Sequence, residues 1–206
     1  MFYNTKENDH GLPYNPVKAI VAPRPIGWIS SKSRCGRVNL APYSLFNLVS
    51  SKPPMVMFCS EDWKDTIAFI SETREFVCNL VSYAQAVAMN DTSSPLPRGE
   101  NEFEHAGLGM SQSNLVDVPR VTGAPASLEC RLIKIEQLVS LDGELLNSWQ
   151  VIGGVVGVHI EDAYIENGRF NSAKARPVAR AGYMDFVDAS FFEIPRPKGG
   201  GNPTGT

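Results

Sequence analysis

Long apolar runs are what this sequence lacks most plainly. The longest, residues 55–59 and 151–158, are far too short to cross a bilayer, so no membrane role is expected. Cysteine is scarce and scattered. Cys35, Cys59, Cys78 and Cys130 form no C-x-x-C pair, which argues against a zinc ribbon and a thioredoxin-like redox motif. His10, His105 and His159 show no metal-ligand spacing, and no metal centre is expected. The absence of G-x-x-x-x-G-K-[ST] excludes a P-loop. Gly153-Gly154-Val155-Val156-Gly157 has only two glycines of a dinucleotide fingerprint in register, and it runs into β-like residues where that fingerprint needs a helix. No Ser/His/Asp or Cys/His arrangement stands out, and Cys78, within a strand-like run, reads as a packed thiol. Excess charge is missing too. The 19 basic and 22 acidic residues leave a net charge of −3, so general attraction to nucleic acid is not expected, while a local anion site remains open. The first ten residues are polar from Asn4 onward and hold no apolar segment of the secretory kind. A reduced, cytoplasmic protein is the expectation.

What is present is turn-rich and β-like. The 206 residues include 17 glycines and 15 prolines, and 43% are hydrophobic, which suits one globular domain over residues 1–197. Residues 198–206 (KGGGNPTGT) read as a flexible tail. Residues 26–31 and 38–41 flank the turn Ser33-Arg34-Cys35-Gly36 and read as a hairpin. Further strands are expected at 55–59, 75–81, 128–138 and 148–160, the last with glycines that mark bends or bulges. Helical signals are short: residues 67–71, capped by Asp65 or Thr66, and 83–89. Residues 90–101, rich in Ser, Pro and Gly, read as a surface loop and are the one candidate for a mobile cover. The absence of β-α alternation predicts a mainly β fold, an antiparallel Greek-key barrel of about six strands with short peripheral helices.

Three polar groups sit at expected strand or helix ends: Arg24-Pro25-Ile26-Gly27-Trp28-Ile29-Ser30-Ser31, Asn39-Leu40-Ala41-Pro42-Tyr43-Ser44-Leu45-Phe46-Asn47, and Lys64-Asp65-Thr66. In this order and spacing they resemble the flavin reductase-like family of the FMN-binding split-barrel superfamily, over residues 23–80. The likeness resumes at residues 177–183 (PVARAGY), similar to the family's late Arg-x-Gly element. The residue chemistry agrees. A phosphomonoester wants hydroxyls, helix-terminal amides and a cation, which Ser30, Ser31, Lys64 and Thr66 offer, with Asp65 at the helix start. Their plainer reading is capping and turn chemistry. An isoalloxazine ring wants a flat slot with backbone and amide groups along one edge. Asn39, Ala41, Ser44 and Asn47 suit it, with Pro42 expected to interrupt strand pairing and free backbone groups. Trp28 is placed either beside the ring or in the core, and Arg180 either near the cofactor or in a surface salt bridge.

The resemblance implies an FMN-dependent oxidoreductase. Hydride would pass from NADH or NADPH to FMN by a ping-pong route, and electrons onward to a second acceptor. It also implies a homodimer, with residues 186–194 open to reading as interface or as core. The alternative is a flavoredoxin-like electron carrier that holds FMN and exchanges electrons with a redox protein.

Overall fold

A computed structural model describes residues 1–195 of the chain, so the predicted tail at 198–206 lies outside the described residues. Seven strands form one antiparallel sheet: β1 Gly27–Lys32, β2 Val38–Tyr43, β3 Phe46–Ser51, β4 Pro54–Glu61, β5 Glu75–Asn79, β6 Ala126–Val139 and β7 Leu145–Ile160. Their spatial order is β2-β1-β5-β6-β7-β4-β3. The fold is mainly β, as the sequence predicts. Only Ser44 and Leu45 separate β2 from β3, yet these strands are opposite ends of the sheet. The sheet therefore coils until its two edges meet at that link, with no ladder between them.

One strand of this sheet was not foreseen. In β3, Asn47, Leu48, Val49 and Ser51 are exposed, so no alternation of apolar and polar residues announces it. The others follow the pattern. In β4, Val56, Phe58 and Ser60 turn inward and their neighbours outward. β7 carries register shifts against β6 at Ile152/Gly153 and Val155/Gly157, where glycines were expected to mark bulges. Gly153 has a packing reason as well: a Cβ there would lie 2.3 Å from the Phe76 ring, which is fully buried. Phe76 joins Ile29, Phe58, Ile67, Ile70, Cys78, Cys130 and Val151 in the main core. Cys78 is thus packed in the interior.

Helix α1, Asp65–Thr73, covers that core with Ile67 and Ile70. Its N-cap is Lys64, which makes no side-chain capping bond. Asp65 and Thr66 stand within the first turn, not in the capping position expected for one of them. Helix α2, Ala86–Asp91, and the single turn α3, Glu102–His105, bracket a loop that folds back over the N-terminus of α1. Trp28, Leu40, Met89 and Phe103 pack in a second cluster beneath it. No helix of the described residues is long and apolar enough to cross a membrane.

Candidate functional site

Three pieces of chain enclose a cleft of about 430 Å³: the outer edge of β2, the N-terminus of α1, and the loop from Thr92 to Arg98 with Glu102 beyond it. β2 is an edge strand, so every second amide points away from its partner. The Leu40 amide is such a group, and it donates to Glu102 Oε2 at 3.0 Å. Pro42 has the same parity. Its missing N–H therefore falls on the open edge, where proline belongs, and it stays in register with Trp28 of β1. This corrects the expectation that Pro42 breaks the pairing and frees groups around Ala41.

The N-terminus of α1 opens into the cleft. The first intrahelical bond runs from Ala68 N–H to the Lys64 carbonyl, so the amides of Asp65, Thr66 and Ile67 have no acceptor within the helix. Lys64 is exposed at the rim. The Asp65 carboxylate turns to the loop, accepting from Gly99 N–H at 2.9 Å and pairing with Arg98 Nε at 2.9 Å. Arg98 Nη2 also donates to the Trp63 carbonyl at 3.3 Å. The loop expected as a mobile cover thus forms one wall of the cleft, bonded to Asp65 and to the Trp63 carbonyl. Trp63, 40% exposed, also lines the cleft, its ring edge-to-face on Trp149 with centroids 4.6 Å apart.

Asn39 links the floor to both walls. Its Oδ1 accepts from Thr66 Oγ1 at 2.5 Å and from Ser31 Oγ at 3.4 Å, and its Nδ2 donates to Glu102 Oε1 at 2.9 Å. Burial pushes the Glu102 carboxyl above its ordinary value, against the hydrogen bonds from Leu40 and Asn39 that favour its ionised form. Tyr43 also lines the cleft. It is only 8% exposed, and its hydroxyl has no hydrogen-bond partner among the described residues, although the Thr66 and Ser60 hydroxyls lie close by. Burial raises its pKa, so the phenol stays protonated.

Of the residues singled out from sequence, Asn39, Ala41, Lys64, Asp65 and Thr66 meet at this cleft. Ser31 lies one layer below, behind Asn39. The rest lie elsewhere. Ser30 is fully buried in the middle of β1, not at a strand end, and donates to the Pro119 carbonyl at 2.6 Å. Trp28 takes the core placement, with Nε1 bonded to Thr92 Oγ1 at 2.9 Å. Ser44 lies on the link between the sheet edges, and the exposed Asn47 spends its Oδ1 on the Leu48 amide. Arg180 lies on a separate small sheet, donating to the Tyr183 carbonyl and stacking on Phe186. Glu102, Arg98 and Trp63 were missed. Glu102 meets β2 from about sixty residues away, and no short motif marks that contact.

A cleft with helix-terminal amides, two cations and an orphaned phenol suits a small anionic ligand with a planar part. The family model described as flavin reductase like domain matches residues 21–174. A protein of uncharacterized function from Aquifex aeolicus (strain VF5) is 35% identical over 195 residues, covering 92% of this chain and 96% of its own. The chain belongs to the flavin reductase-like family. Among solved structures, nitrilotriacetate monooxygenase component B from Bacillus cereus superposes with a TM-score of 0.86 at 28% identity, covering 94% of this chain and 98% of its own. The 2-nitrobenzoate 2-nitroreductase NbaA of Pseudomonas fluorescens does so with a TM-score of 0.84 at 27% identity, covering 98% and 100%.

Proposed function

We propose that the protein is an FMN-dependent oxidoreductase whose cofactor lies in this cleft, phosphate toward the N-terminus of α1. The observation that carries the reading is the set of first-turn amides without intrahelical acceptors, flanked by Lys64 and Arg98. The fit holds on charge: Asp65 is the one acid in that turn, and Arg98 already neutralises it. Lys64, Arg98 and the Thr66 amide hold the phosphate. The β2 edge around Ala41 and Pro42 gives the ring a flat apolar floor. When bound, FMN would supply the redox chemistry, as hydride acceptor for NADH or NADPH and electron donor to a second acceptor. The chain orients both reactants and keeps water from the floor.

We further propose a homodimer. Phe191, Phe192 and Ile194 are exposed in the single chain, which favours the interface reading of residues 186–194 over the core reading. Titration of the apoprotein with FMN and with riboflavin tests the cofactor assignment. FMN binds more tightly if the reading holds, and equal affinity for the two sinks it.

A further inference from the structure

The Glu102 carboxylate is out of place in a phosphate-binding cleft. Asp65 is matched by Arg98, but Glu102 makes no ion pair among the described residues. We propose that Glu102 holds the phosphate affinity of the cleft down and quickens the release of FMN. This rests on the FMN reading above.

Two effects act together. The first is charge: a half-buried carboxylate lines the same cleft as the N-terminus of α1 and repels an incoming phosphate. The second is a relay of hydrogen-bond directions. A carboxylate only accepts, so Asn39 must present its NH₂ to Glu102 Oε1, which turns its Oδ1 the other way. Thr66 Oγ1 then donates its single proton to that oxygen, at 2.5 Å. A dianionic phosphate offers only acceptors. The Thr66 hydroxyl therefore has no proton left for it, and the residue meets the ligand through its amide.

Glu102→Gln removes the charge and also frees the relay. With its Oε1 on the Leu40 amide, the new side chain points an NH₂ at Asn39. The Asn39 amide then flips, its Nδ2 serves the Thr66 and Ser31 oxygens, and the Thr66 proton is released to the phosphate. Glu102 acts through other groups here and is a positioning residue.

The test is fluorescence titration of apoprotein with FMN and with riboflavin, plus the FMN dissociation rate. In Glu102→Gln the FMN Kd falls by about 5- to 20-fold, mainly through slower dissociation, while riboflavin stays within about twofold. An unchanged or weaker FMN Kd in the folded variant overturns the proposal. Thr66→Val in the wild-type background gives an independent check. It shifts the FMN Kd by less than about threefold, because the lost proton was already committed; a loss above about tenfold, specific to FMN, overturns the relay. If wild type binds FMN and riboflavin equally, the cofactor reading fails. If wild type prefers FMN and Glu102→Gln does not tighten it, only this inference fails.

Discussion

Arg98→Ala probes the wall and the anion site at once. The guanidinium bonds Asp65 Oδ1 at 2.9 Å and the Trp63 carbonyl at 3.3 Å, and its side chain is 68% exposed while that of Asp65 is 16% exposed. A pair this open to water contributes only about 0.5–1 kcal/mol to folding, so the variant folds with a small drop in denaturation midpoint. Its effect on the ligand is larger. The cleft loses a cation, and the Asp65 carboxylate, left with the Gly99 amide alone, turns its charge on the phosphate. One charge-assisted contact is worth about 1.5–3 kcal/mol, and the unmasked acid pushes the loss to the upper half of that range. The FMN Kd therefore rises by about 40- to 150-fold, with riboflavin changed by less than about threefold. Adding Asp65→Asn to Arg98→Ala recovers about tenfold by removing the unmasked charge. Fluorescence titration reads wild type and both variants. An FMN Kd within about twofold of wild type, or equal losses for FMN and riboflavin, refutes the placement of the phosphate.

Lys64→Ala removes the exposed cation at the helix N-cap and raises the FMN Kd by about 10- to 100-fold with riboflavin nearly unchanged, by the same titration. Glu129, fully buried in β6, accepts from the amides of Asn114, Leu115 and Val116 and is bonded to His159. Burial works to raise its pKa but is outweighed by these bonds, and the carboxyl stays below its ordinary value. A lowered folded pKa means stability that is present above the ordinary carboxylate pKa and is lost as pH falls through the folded value. Glu129→Gln accordingly lowers stability by about 2–3 kcal/mol at neutral pH and flattens the acid limb, read from urea midpoints across pH.

Sequence reading reached the strands whose side chains alternate or run apolar, because burial of a sheet face writes itself into periods of two. It missed β3, where exposure on both faces leaves no period to read. It placed Ser30 at a ligand as a hydroxyl at a strand end, yet Ser30 sits mid-strand, both faces of β1 are covered and the hydroxyl is spent on Pro119. Local chemistry located the α1 N-terminus, since Lys64-Asp65-Thr66 carries its own signal. Nothing local marks Glu102 or Arg98, whose roles arise when residues far apart in the chain meet across the cleft. The loop around Arg98 has the composition of a mobile cover. What joins it to the α1 N-terminus is the pair of bonds to Asp65, invisible until the chain folds.

The most direct test of the account is anaerobic mixing of FMN-loaded protein with NADH and, separately, NADPH, following the flavin absorbance. The account predicts bleaching by at least one nucleotide within ordinary turnover times, at about 1–10³ per second. Bleaching that takes hours with both nucleotides, yet occurs at once with a reduced ferredoxin-type protein, would contradict it and make the protein an electron carrier.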